Sequence, residues 1–207
     1  MRASLLGAGA NAVLLASPAL LVGRFDLSVA MLISSVTLWC LLEARAVGLE
    51  PRTSRDDGYH WLARCTAVIV LAIFLIAILD HSEASLWRIP GLVLMVVGIW
   101  LRCTAIGTLG DYFLSEVCLV AGQPLVTRGI YSSLRHPSEA GTLCICLGCG
   151  LWLGSNLAAV GTLVLLLPAV LVRISIEDAM LARQYPEFPA YRCRVGALVP
   201  VLFQDSA

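Results

Sequence analysis

Residues 135–178, RHPSEAGTLCICLGCGLWLGSNLAAVGTLVLLLPAVLVRISIED, decide how this chain is read. Arg135-His136-Pro137 closes a polar stretch and opens an apolar run, and Arg173-Ile174-Ser175-Ile176-Glu177-Asp178 closes that run. Between them lie two membrane-crossing lengths of apolar residues, at ~20 residues each, broken near the middle by Gly154-Ser155-Asn156. A hairpin of that size returns to the side it left and brings both polar groups to one membrane face. That convergence is the expected active site.

Composition agrees with a membrane setting. The 207 residues are 59% hydrophobic with a mean hydropathy of +0.87, where a soluble domain is roughly half apolar. The length suits one domain. Net charge is zero and no basic run appears, so nothing points to nucleic acid. All fourteen Lys+Arg residues are Arg. Of the eight cysteines, Cys40, Cys65, Cys103, Cys144, Cys146 and Cys149 fall in apolar stretches, where a thiol packs as a small hydrophobe. Cys144, Cys146 and Cys149 have a spacing that suggests a metal site. On a helix turning about 100° per residue, however, Cys144 and Cys146 point to nearly opposite sides. The expectation is helix packing and no metal.

Apolar runs cover residues 5–22, 27–49, 62–79, 86–109, 138–153 and 157–173. Each is near the length needed to cross ~30 Å of hydrocarbon, which predicts an all-α polytopic membrane protein of about six helices. The first run is read as a membrane helix rather than a cleaved signal, because it is long and Ser17-Pro18-Ala19 is a poor cleavage site. Residues 50–60 form a polar, turn-rich connection. His60 and His81 sit alone at helix edges, and Gly91, Gly98, Gly107 and Gly110 suit close helix packing in lipid.

The arginines orient the bundle. With the N-terminus in the cytoplasm, that side receives Arg2, Arg45, Arg52, Arg55, Arg64, Arg102, Arg128, Arg135, Arg173, Arg183, Arg192 and Arg194. The far side keeps Arg24 and Arg88. The positive-inside rule then places both termini and the polar groups of the hairpin in the cytoplasm.

From Gly98 onward the residues carry a family likeness. Gly98-Ile99-Trp100-Leu101-Arg102, Leu109-Gly110, Leu125-Val126-Thr127-Arg128-Gly129-Ile130-Tyr131 and Arg135-His136-Pro137 with Gly141 resemble the isoprenylcysteine carboxyl methyltransferase family. Related membrane phospholipid methyltransferases look similar. Asn156, Arg173-Ile174, Glu177-Asp178, Leu181, Tyr185 and Tyr191 continue the pattern. The likeness covers roughly residues 92–200 and divides the chain into N-terminal membrane helices (1–91) and a methyltransferase-like region (92–207).

The resemblance implies methyl transfer from S-adenosylmethionine to a lipophilic small-molecule or lipidated acceptor that enters from the bilayer. Cofactor contacts would pass to Tyr131, Arg135, His136, Pro137, Gly141, Glu177, Asp178, Tyr185 and Tyr191. Arg102 would pass as the residue holding the acceptor, and Glu139 and Arg173 are further catalytic candidates. Residue chemistry agrees. Glu177 can accept hydrogen bonds from hydroxyls or an ammonium, Arg135 can fork to a carboxylate, and Tyr185 and Tyr191 offer ring faces. The chain departs from the family's pattern at Glu139, where an aromatic is usual, at Asp178, where Glu is frequent, and at Gln123, where some members have His. A carboxylate early in an apolar helix is costly and usually functional. It is expected to face the acceptor or to pair with Arg102.

Two other readings compete. A membrane reductase related to sterol reductases would need a nicotinamide cofactor, and no G-x-G-x-x-G follows a strand. A transporter would show internal repeats with polar groups at mid-membrane, whereas these polar motifs gather at one face.

Overall fold

A computed structural model describes residues 60–80, 82, 86–113 and 122–200, with scattered positions between 23 and 37. Among these the chain is helical throughout, apart from short turns, extended connections and one parallel bridge between Leu134 and Gly196. Helix α1 is His60–Leu79, α2 is Arg88–Leu109, and α3 is Pro137–Leu153. Helix α4 runs without a break over Asn156–Gln184. A short α5 follows at Phe188–Arg194.

Local sequence sets these boundaries. Pro137 occupies the first turn of α3, where its missing N–H costs nothing. Gly154 ends the helix at φ 67, a left-handed conformation that glycine adopts without strain. Ser155 then caps α4, its hydroxyl accepting from Ala158 N–H at 3.1 Å and donating to Asp80 at 2.8 Å. Within α4, Thr162–Leu166 winds as a π-turn directly ahead of Pro168. A proline cannot donate to the turn before it, and a local change of winding absorbs that loss. The helix stops at Gln184 because Tyr185 precedes Pro186 and is pushed to an extended backbone.

Here the structure departs from expectation. The run expected to end at 173 continues as helix to Gln184, so Arg173, Glu177 and Asp178 are all helical residues. The apolar composition ends there, but Glu, Asp, Ala, Met, Leu and Arg sustain the helix.

Among the described residues three helices are long and apolar enough to cross a membrane: Trp61–Leu79, Arg88–Leu109 and Asn156–Gln184. Their outward faces carry Val68, Val93, Val96, Trp100, Leu163, Val164 and Leu171, fully apolar surface that a bilayer accommodates and water does not. The chain is an integral membrane protein. Of the other expected spans, 138–153 is helix α3 but is not one of these three, and those at 5–22 and 27–49 lie mostly outside the described residues. The positions described there, Val29, Ala30, Leu32, Ile33, Ser34, Val36 and Thr37, are helical. Val29, Leu32, Ile33 and Val36 join the core built by α1, α3 and α4.

Helix α3 is the centre of the bundle, and none of its residues is exposed. It runs antiparallel to α2 with two glycine pairs in register. A Cβ on Gly98 would lie 2.6 Å from Gly141 O, and one on Gly148 would lie 2.6 Å from Gly91 O. The backbones touch, which is how helices associate tightly in lipid without a hydrophobic driving force. Gly107, grouped with these in the sequence, has nothing within 4 Å of a built Cβ.

Candidate active site

The α2–α3 contact fixes what comes next. One turn beyond Gly98, Arg102 meets the first turn of α3. Its Nη1 donates to Ser138 Oγ at 2.8 Å and to Thr142 Oγ1 at 2.8 Å. Ahead of α3, residues 129–132 form a 3₁₀ turn that buries Tyr131. After α5 the chain returns and pairs with this stretch. Arg135 N–H donates to Gly196 O at 2.8 Å, and His136 N–H donates to Ala197 O at 3.0 Å. Tyr191 OH donates to Tyr131 O at 2.6 Å, and Tyr185 OH to Gln123 O at 2.6 Å. Side chain and main chain together hold the polar loop against the end of α4.

A charged network fills the junction. His136 Nδ1 lies 3.2 Å from Glu177 Oε2, and its Nε2 lies 2.9 Å from Asp178 Oδ1. A neutral imidazole has one N–H to give, whereas the imidazolium gives two. Burial pulls His136 toward neutrality, but hydrogen bonds to Asp178 and Glu177 and their charges outweigh it, raising its pKa from 6.5 to about 9. Asp178 also receives Arg135 Nη2 at 3.1 Å, while Arg135 Nη1 donates to the carbonyls of Arg192 and Val195. Arg173 Nε donates to Glu177 Oε1 at 2.9 Å and lies 3.3 Å from Glu139 Oε1. Burial pushes the Tyr131 phenol well up, with the Glu177 charge adding to it. The Tyr191 phenol rises to about 12, again mainly by burial. Both remain hydrogen-bond donors at neutral pH.

These groups surround a cavity of about 150 Å³. Its lining combines charged groups, Arg102, Arg135, His136, Glu139, Arg173 and Glu177, with apolar ones, Leu109, Phe113, Leu125, Met180, Leu181 and Phe188. Two polar groups on the wall have capacity left. Arg135 Nε is buried without a hydrogen-bond partner among the described residues. Glu139 has a charge partner in Arg173 but receives no hydrogen bond among the described residues.

Most of the residues singled out in the sequence converge here. Arg102, Tyr131, Arg135, His136, Pro137, Glu139, Arg173, Glu177 and Tyr191 all line the cavity. Asp178 stands behind it as the anchor of Arg135 and His136. Tyr185 holds the 123 segment, and Gly141 lies in the contact with α2. Glu139 pairs with Arg173 and not with Arg102, because the glycine register sets Arg102 against Ser138 and Thr142 instead. The sequence reading passed over Ser138 and Thr142, whose spacing of four on one helix face was the available signal. It also passed over Phe113, Met180 and Phe188, and over the main-chain pairing at 196–197, which has no side-chain signature.

The chain is similar to known methyltransferases. Residues 86–187 match the family model described as phospholipid methyltransferase. Protein-S-isoprenylcysteine O-methyltransferase B of Arabidopsis thaliana is 34% identical over 116 residues, 53% of this chain and 57% of that protein. A solved structure of the eukaryotic intramembrane Ras methyltransferase, isoprenylcysteine carboxyl methyltransferase without a monobody, superposes with a TM-score of 0.52 at 21% identity. That match covers 84% of this chain and 63% of the other, and shows a shared fold. The chain thus spans about three fifths of the length of each of these two proteins.

Proposed function

We propose that this chain is a member of the isoprenylcysteine carboxyl methyltransferase-like family, a reading its similarities support, and is a membrane methyltransferase acting on a lipophilic acceptor with S-adenosylmethionine as donor. The reaction it most resembles is carboxyl O-methylation of an isoprenylated cysteine. One observation carries the reading: one cavity is lined both by side chains of each charge sign and by apolar side chains. A charged, zwitterionic donor suits the first set, and an isoprenoid tail suits the second. The orphaned Arg135 Nε–H is the kind of group that a donor's carboxylate would satisfy.

Bound S-adenosylmethionine supplies an electrophilic methyl group on a sulfonium. The protein's task is then to bind and align, which is worth ~7–11 kcal/mol when the geometry is right. Glu177, held by His136 and Arg173, is assigned the donor's hydroxyls. Tyr131 and Tyr191 close one side of the site. Arg102, fixed by Ser138 and Thr142, is assigned the acceptor head group. Removing one partner of a buried ion network is costly, but the intact network adds little net stability because desolvation offsets pairing, so its presence here favours a role in binding. The catalytic region is residues 92–207, in a bundle of about six spans, and the cavity opens to the cytoplasm. Among the described arginines, Arg64, Arg102, Arg128, Arg135, Arg173, Arg183, Arg192 and Arg194 belong to its end of the bundle, and Arg88 to the other.

The test is incubation of purified protein with methyl-tritiated S-adenosylmethionine, a farnesylated cysteine and bilayer phospholipid. Base-labile label in the farnesylated product supports carboxyl methylation. Base-stable label in phospholipid would move the assignment to a lipid amine, and label in neither would overturn the reading.

A further inference from the structure

We propose that Glu139 is the binding site for an ammonium carried by a ligand in this cavity. The ammonium comes either from the amino-acid end of the methyl donor or from an amine head group on the acceptor. The assignment of the two sources rests on the methyltransferase reading; the ammonium site itself does not.

Glu139 lies in the first turn of α3, its side chain is 8% exposed, and it forms part of the cavity wall. Its ion-pair partner among the described residues is Arg173, through Nε at 3.3 Å. That nitrogen carries a single hydrogen, and the hydrogen is given to Glu177 Oε1 at 2.9 Å. Arg173 therefore offers Glu139 a nearby charge without that hydrogen. No hydrogen bond reaches the Glu139 carboxylate among the described residues, although a carboxylate has about four lone-pair positions to fill. The other wall carboxylate, Glu177, already faces both His136 and Arg173. Glu139 is thus the cavity carboxylate that receives no hydrogen bond among the described residues.

Buried carboxylates are nearly always hydrogen-bonded, and one that lacks donors in the protein finds them in what it binds. An ammonium supplies three N–H donors together with a complementary charge. A carboxylate head group supplies neither and would be repelled by Glu139. Any carboxylate the cavity takes is therefore held by its arginines, while Glu139 selects the cationic group.

The experiment uses the purified full chain with Glu139→Gln, which keeps the shape and removes the charge, and Glu139→Asp, which keeps the charge. Both are first compared with wild type for elution and melting without ligand. Two probes are then titrated into each: S-adenosylmethionine beside its analogue lacking the amino group, and decylamine below its micellar concentration beside decanoate. Loss of one charge-assisted hydrogen bond weakens binding about tenfold or more. If the donor's ammonium sits at Glu139, Gln weakens S-adenosylmethionine by that factor and leaves the deaminated analogue unchanged. If the acceptor's does, Gln abolishes the melting shift produced by decylamine and leaves the donor unaffected. In either case Asp retains more of the response than Gln. Equal affinity of wild type and Glu139→Gln for both probes, or no wild-type response to either, overturns the proposal. A Glu139-dependent response to decylamine in a protein that does not bind S-adenosylmethionine would uphold the ammonium site and refute the methyltransferase reading.

Discussion

Replacing His136 with Gln should remove a large, pH-dependent part of the protein's stability. The imidazole is 6% exposed and bridges Glu177 and Asp178, with both ring nitrogens directed at carboxylate oxygens. Its pKa stands at about 9 against an ordinary 6.5, because the two carboxylates outweigh burial. At about 1.4 kcal/mol per pH unit, that rise amounts to roughly 3 kcal/mol. A pKa raised on folding means that the folded state holds the proton more tightly. The contribution is therefore complete below pH 6.5 and fades as pH climbs from 6.5 through 9. In a chain of this length, with about 2–4 °C per kcal/mol, wild type should melt roughly 6–12 °C above His136→Gln at pH 6. By pH 9.5 most of that gap should have closed. The assay is the melting midpoint of both proteins in one detergent across that range, read as a difference so that other titrating groups cancel. A gap of constant size from pH 6 to pH 9.5 would refute the doubly bonded imidazolium.

Other perturbations probe the scaffold around it. Gly98→Ala puts a methyl 2.6 Å from Gly141 O and 2.8 Å from Ile145 Cγ1, and should cost ~1–3 kcal/mol by forcing α2 and α3 apart. Gly107→Ala meets nothing within 4 Å and should be neutral or up to ~1 kcal/mol stabilising, so equal melting of the two variants would contradict the glycine register. Asp178→Asn leaves Arg135 and His136 short of a buried counter-charge and should destabilise by ~3–5 kcal/mol; an unchanged midpoint in detergent would refute its role as anchor. On a background without native cysteines, cysteines at positions 54 and 204 should label from the same face and one at 83 from the opposite face. Labelling of 54 and 204 from different faces would make the helix number odd.

The hairpin was legible because its signals are local. Gly154-Ser155-Asn156 holds a left-handed helix end and an N-cap, and the polar groups on either side of it fall one hairpin length apart. The end of the last long helix was not legible from hydropathy, which marks where lipid stops and not where the helix stops. Pro186 was the better signal. The partner of Glu139 depended on the register of α2 against α3. That register is written in Gly91 and Gly98 facing Gly148 and Gly141, two pairs seven residues apart on each helix. Read together, those glycines would have set Arg102 against Ser138 and left Glu139 to Arg173. The return of residues 196–197 to Arg135 and His136 uses main-chain groups alone, which every sequence possesses.

The central claim is that the charged wall formed by Arg135, His136 and Glu177 holds S-adenosylmethionine. Equilibrium binding of radiolabelled S-adenosylmethionine to detergent-purified protein tests it most directly, with His136→Ala and Glu177→Ala measured beside wild type. Saturable wild-type binding that falls about tenfold or more in each folded variant is the predicted result. No wild-type binding, or wild-type affinity in both variants, would contradict it.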